Sequence, residues 1–242
     1  MTGNKIEYEF VKAFNNKKLS DLTIRQQCFV KDIFQNINYD DKIIAWKNKE
    51  IKKADIYIKI KNITRGISIK SGNENSVHSE YITPFMSFLK EINIPPNIRE
   101  IYYKYHYGIV NENDTSKRYN AKELKEIMKE DLTELNNYFN KPQNIIKAID
   151  RFIVHGIEAK YSISALISGT PENFTWLKSE DIYNIALKYD KKKYTAPHFG
   201  MLILQPKKRD LDNKHTYETD KNRVQVKWHN LYEEILNYYH SK

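Results

Sequence analysis

The sequence predicts an α/β fold, a central mixed sheet flanked by helices in a single domain over 1–242, with a helical insertion over 116–158. Three observations predict it. Hydrophobic spacing is helical in the first segments and switches to two-residue alternation between residues 42 and 70. Strand-like runs return late in the chain with helical patterns beside them. Between these regions, 116–158 carries mainly polar-faced helical periodicity. Seven Gly and seven Pro in 242 residues argue against a loop-built chain, and no internal repeat or linker divides it.

Taken in order, Ile6, Phe10, Val11 and Phe14 stand at helical spacing and predict an amphipathic helix over 4–14. A second helix is expected over 22–35. Three strands follow, over 42–46, 54–60 and 66–70, the middle one alternating strictly through Asp55, Ile56, Tyr57, Ile58, Lys59 and Ile60. After Ser71-Gly72-Asn73, the stripe Val77, Tyr81, Phe85, Phe88 and Leu89 predicts a helix. Pro84 would kink or break it, and Pro95-Pro96 would end it. Residues 102–110 suit a strand or a helix. Helices are expected over 121–138, 143–154, near 179–187 and at the C-terminus, and strands over 162–167, 201–205 and 224–228.

Forty Lys and Arg against 31 Asp and Glu give a net charge of +9, the balance of a polyanion-binding surface. A composition rich in Lys, Asn, Ile and Tyr is also what AT-rich codons produce. No apolar leader opens the chain and no apolar run nears membrane-spanning length, so a cytoplasmic protein with no membrane partner is expected. The single Cys28 excludes an internal disulfide and a multi-cysteine zinc site.

The candidate chemistry sits in the first third, at Glu7, Asp55, Ser68 and Lys70. A hairpin centred on Asn62-Ile63 sets Asp55 opposite Lys70 and Tyr57 opposite Ser68, all on one face, with Ile56, Ile58, Ile60, Ile67 and Ile69 on the other. Opposed Cβ atoms lie about 5 Å apart, so a carboxylate and an ammonium are presented together. Glu7 projects into the apolar arc of the first helix, where an acid wants a partner. Its spacing from Asn4 equally suits a capping box. The helix expected after residue 75 offers its N-terminus to a phosphate and carries His78 on its apolar stripe, as a catalytic group or phosphate contact or as a satisfied core histidine.

Two basic clusters, Lys191-Lys192-Lys193 and Lys207-Lys208-Arg209, suit phosphate contacts or plain solvated surface. Tyr102-Tyr103-Lys104-Tyr105-His106-Tyr107 suits core packing better than base stacking. Val224-Gln225-Val226-Lys227-Trp228, with Gln205 facing it, reads as a structural hairpin whose polar side chains are candidates for a DNA groove.

An acid-bearing helix, an Asp opening a strand, x-x-Lys closing the next strand and a following helix together resemble the PD-(D/E)XK nuclease superfamily, which includes many type II restriction endonucleases. The resemblance covers about the first ninety residues and implies a restriction-endonuclease-like sheet. By it, Asp55 is a metal ligand, Lys70 the catalytic lysine and Glu7 the helical acid, with Gly3-x-x-x-Glu7 similar to the family's Gly-x-x-x-Glu. Ala54 stands where the family has Pro, and Ser68 where it has a second acid. A hydroxyl is a poor Mg²⁺ ligand beside a carboxylate, so Glu7 and the carbonyl of Ile69 would have to compensate. The implied activity is Mg²⁺-dependent hydrolysis of double-stranded DNA, with a homodimer supplying two centres. A non-catalytic DNA-binding or nuclease-inhibiting protein on the same scaffold and an RNA-directed nuclease are the alternatives.

Overall fold

The computed structural model describes residues 3–49, 53–71, 75–111, 117–156, 162–189, 195–208 and 218–240. In chain order its elements are α1 (Gly3–Phe14), β1 (Lys17–Lys18), α2 (Ile24–Ile33), β2 (Lys42–Lys47), β3 (Ile56–Ile60), β4 (Ile63–Lys70) and β5 (Ser76–Tyr81). There follow α3 (Ile82–Glu91), α4 (Pro96–Tyr107), α5 (Ala121–Ile127), α6 (Lys129–Phe139) and α7 (Pro142–Ile149). The last third holds β6 (Ile163–Thr170), β7 (Asn173–Lys178), α8 (Ser179–Lys188), β8 (His198–Phe199), β9 (Leu202–Pro206), α9 (Glu218–Lys221), β10 (Arg223–Trp228) and α10 (Leu231–His240). The chain divides into two units, one from residues 1–75, 149–185 and 230–242, the other from 76–148 and 186–229. The segment 116–158 crosses that division: its helices up to Ala148 belong to the second unit, and residues from Ile149 to the first.

The first unit is built on a six-stranded mixed sheet in the order β1-β2-β3-β4-β6-β7. Every pairing is antiparallel except β4 with β6. Alternation buries Ile43, Ala45, Ile56, Ile58, Ile60, Ile67 and Ile69, against which α1 packs Ile6, Phe10 and Phe14 and α2 packs Phe29 and Val30. Each such side chain taken out of water contributes roughly 1.5–3 kcal/mol. Thr23 starts α2 with a capping box shared with Gln26, which satisfies backbone donors the first turn leaves open. Phe174 of β7 is fully buried in an aromatic group with Phe10, Phe29 and Trp176.

In β6, just before the β6–β7 turn at residues 171–172, Gly169 adopts φ +127°, and a Cβ there would lie 2.3 Å from the Asn173 carbonyl oxygen. Only glycine accommodates that backbone without strain. Gly169→Ala is therefore expected to lower stability by more than about 1 kcal/mol, read as a lower denaturant midpoint at unchanged slope.

The second unit holds an antiparallel sheet in the order β5-β10-β9-β8. Its core places Phe139 flat on Phe199, ring centroids 4.3 Å apart, and Phe85 against Tyr102 at 4.7 Å. Pro84 is the third residue of α3, where the first turn has no use for its missing N–H, so the helix begins around it rather than breaking. Pro96 opens α4 in the same way, and Gly108 closes it in the left-handed conformation.

Several expectations are corrected here. Residues 76–81 form a strand, not the start of a helix: hydrogen bonding to β10 organises them, and the helical stripe is real only from Ile82 onward. Of the two alternatives for residues 102–110, 102–107 take the helical one, with Tyr102, Tyr105 and His106 buried and Tyr103 exposed. The helix expected over 121–138 is interrupted at Met128, and the one over 143–154 ends in a π turn over Asp150–Val154. The strand β7 and the short β1 and β8 had no counterpart in the sequence reading.

Candidate active site

The β3–β4 hairpin fixes the centre of the site. Its two-residue turn is Lys61-Asn62, with Lys61 at φ 52°, and Ile60 pairs with Ile63 and Ile56 with Ile67. The expected register is thus corrected by two residues. Just before β3 the Asp55 N–H also donates to the Ile67 carbonyl at 2.8 Å, so Asp55 and Ile56 both meet Ile67 at this end of the ladder. The Asp55 side chain is thereby placed against Ser68, not Lys70. Because side chains alternate with period two, a two-residue shift keeps Asp55, Tyr57, Ser68 and Lys70 on one face and changes only who faces whom.

The consequence is a defined carboxylate. Asp55 Oδ2 accepts from Ser68 Oγ at 3.0 Å and from the Ile69 N–H at 2.6 Å. Charge-assisted bonds of this length are strong and hold the carboxylate in one orientation. The segment entering β3 is pinned as well, because the Asn48 N–H donates to the Asp55 carbonyl at 2.9 Å and Asn48 Nδ2 to the Ala54 carbonyl at 2.8 Å. Ser68 is buried, and Lys70, which closes β4, is half-buried.

Glu7 has a different partner from the ones expected. The helix α1 already includes Gly3 and Asn4, so Glu7 is not the third residue after an Asn4 cap. Its carboxylate forms an ion pair with Lys47 Nζ at 2.8 Å, both side chains largely buried. The Glu7 hydrogen bond, with the charges of Glu7, Tyr8 and Asp55 adding to it, holds the Lys47 ammonium above the usual lysine range against its own desolvation. Sequence reasoning missed Lys47. The signal was there, since Lys47 shares the strand parity of buried Ile43 and Ala45, and a lysine in a core register calls for an acid.

A cleft of about 1380 Å³ reaches Lys47 and Asn48 and is lined further by Tyr8, Trp46, Lys49, Tyr57, Arg65 and Gly66 among others. Trp46 and Tyr57, neighbours across β2 and β3, stack at 5.6 Å.

The other expected residues belong to the second unit or fall outside the described residues. His78 is on β5 in the second unit, its Nε2 3.7 Å from Glu80 Oε1. Strand periodicity puts the two on one side, where Glu80 is buried, and residues 76–81 are a strand that offers no helix N-terminus to a phosphate. Lys207 and Lys208 are exposed at the end of β9, and Lys207 is paired with Asp220 at 2.8 Å. Lys191, Lys192, Lys193 and Arg209 lie outside the described residues. Among the described residues, no group of three or more His, Cys, Asp and Glu is arranged to hold a metal ion. Nor is any helix among them long and apolar enough to cross a membrane.

No protein-family model matches the chain, and no curated protein matches it. The structure is similar to a crystal structure of the restriction endonuclease MspI in complex with its cognate DNA. The TM-score is 0.59 at 13% sequence identity, over 91% of this chain and 87% of that one. The chain thus has a restriction-endonuclease-like α/β fold.

Proposed function

We propose, starting from the fold shared with MspI, that the chain is a Mg²⁺-dependent endonuclease acting on double-stranded DNA, of the type II restriction class. The observation that carries the reading is Asp55, a carboxylate fixed by Ser68 and Ile69 on the strand pair and face that end in Lys70.

The residues fit a sparse magnesium site. Oδ2 of Asp55 is occupied by two donors, which leaves Oδ1 as a hard anionic ligand, and Mg²⁺ is commonly held by one or two carboxylates with water and substrate phosphate completing its shell. Asp55 and the carbonyl of Ile69 would hold the ion, and Glu7, tied to Lys47, would act from further out. A bound Mg²⁺ would neutralise phosphate charge and lower the pKa of its water. Lys70 would place an ammonium beside the attacking oxygen and favour its deprotonated form. Ser68 would keep Asp55 aimed, a positioning role. The basic and aromatic cleft of Lys47, Lys49, Arg65, Trp46 and Tyr57 would carry the adjoining backbone. One chain offers one centre, so a double-strand break would take two copies, as in a homodimer.

The test is cleavage of supercoiled plasmid with Mg²⁺ or with EDTA. Discrete fragments are expected from the wild type with Mg²⁺ alone, and Lys70→Ala is expected to slow cleavage by roughly 10²- to 10³-fold. A metal-dependent smear would mean a nuclease without sequence selectivity. Binding without cleavage under any divalent metal would establish the second reading, a non-catalytic DNA-binding protein. Ser68 in place of an acid is the observation that favours it.

A further inference from the structure

The hairpin of β9 and β10 is the motif that the candidate active site leaves unused. Gln205 and Gln225 are directly opposed in it, and Gln205 Nε2 donates to Gln225 Oε1 at 3.4 Å. Alternation sends Val224, Val226 and Trp228 into the core and leaves Arg223, Gln225 and Lys227 partly exposed on the other face. On β5, Ser79 lies opposite Gln225 and Tyr81 opposite Arg223. Arg223 is anchored there, donating from Nε to Ser79 Oγ and from Nη2 to the Ser79 carbonyl, both at 3.2 Å, with its guanidinium 4.8 Å from the Tyr81 ring. The strand β8 pairs with Leu202 and Ile203, and the Leu204 N–H donates to the Pro197 carbonyl, so this neighbour is bonded to β9 as far as Leu204, one residue short of Gln205.

Two amides joined by one hydrogen bond still have an oxygen acceptor and an N–H donor to offer, whichever way each amide is turned. Of the base edges in the major groove, adenine shows an acceptor, N7, beside a donor, the N6 amino group. Guanine shows two acceptors, cytosine a donor, and thymine an acceptor beside a methyl group. The donor and acceptor of the glutamine pair therefore complement adenine. Arg223 and Lys227, each about 7 Å along the strand from Gln225, add cations of the kind that contact phosphates.

We propose that this sheet face reads DNA, the Gln205–Gln225 pair contacting the major-groove edge of adenine in an A·T base pair. The inference rests on the duplex-DNA reading above, but only on its binding half.

The test selects bound sequences from a randomised duplex library with the full-length wild type, Gln225→Ala and Gln205→Ala, using Ca²⁺ in place of Mg²⁺ so that binding is read apart from cleavage. The wild type is expected to enrich a site containing an A·T pair. Each variant should lose preference at that one pair by roughly tenfold while keeping the rest of the site. Circular dichroism melting confirms that the variants fold. In a second arm, 7-deazaadenine at that position removes the N7 acceptor. It should weaken wild-type binding by roughly tenfold and leave Gln225→Ala unaffected. A wild type with no A·T preference, variants with unchanged preference, or equal responses to 7-deazaadenine would each overturn the assignment. A protein that selects as expected without cutting plasmid leaves the assignment standing and removes the endonuclease reading. One that cuts while its selection ignores both glutamines does the reverse.

Discussion

Asp55→Asn is expected to slow Mg²⁺-dependent cleavage by on the order of 10³-fold or more, because it removes the one fixed anionic ligand of the proposed centre. The substitution is chosen to spare the fold. The amide oxygen can still accept from the Ile69 N–H and Ser68 Oγ, and the backbone bond from residue 55 to the Ile67 carbonyl does not involve the side chain. What disappears is charge. Losing metal-borne charge stabilisation of several kcal/mol translates into a rate loss of that size. The measurement is the initial rate of supercoiled plasmid loss, with thermal melting alongside. Cleavage within tenfold of wild type would remove Asp55 from the chemistry.

The largest structural effect is expected from Phe174→Ala, about 3–5 kcal/mol of unfolding free energy. Phe174 is fully buried, and its ring meets Phe10 edge-on at 5.5 Å, Phe29 edge-on at 5.6 Å and Trp176 at 5.8 Å. Truncation opens a cavity among rings from α1, α2 and β7 and loses edge-to-face contacts of about 0.5–1.5 kcal/mol each. The backbone is not at fault, because the Phe174 carbonyl still accepts from Arg25 Nη1. The check is urea unfolding. A loss below about 1 kcal/mol would contradict this packing.

The sequence announced faces better than partners. Over 54–70 the two-residue period already placed Asp55, Ser68 and Lys70 on one side and Ile56, Ile58, Ile60, Ile67 and Ile69 on the other, and those five isoleucines are buried while Asp55 and Lys70 are only half-buried. Register is set instead by the turn, and Lys61, a residue with no special liking for positive φ, takes the position that a Gly or Asn would have advertised. Asp55 consequently met Ser68 rather than Lys70. At residues 76–81 the failure was of another kind. Val77, Tyr81 and Phe85 satisfy four-residue spacing, yet the strand partner lies on β10, about 150 residues away in sequence, and no local pattern reports it. The Gln205–Gln225 pair, by contrast, was legible because residues 223–228 alternate polar and apolar and Gln205 ends the apolar run that faces them. The Glu7–Lys47 pair was half legible: helical projection turned Glu7 inward, and reading the parity of β2 would have supplied its lysine.

The parallel pairing of β4 with β6 has a consequence for how the chain is made. Every other neighbour in that sheet is joined antiparallel to its partner, but β4 must wait for β6, and residues 76–148 emerge from the ribosome in between. While they do, the edge of β4 from Gly66 to Lys70 has no hydrogen-bonding neighbour, on a strand whose Ile67 and Ile69 are destined for the core. Such a late-closing edge makes folding slow relative to locally connected proteins and leaves a nascent chain open to mispairing. Ser68 and Lys70 are among the residues on that edge, so the strand that aims Asp55 gains its last neighbour only after much of the second unit has been synthesised.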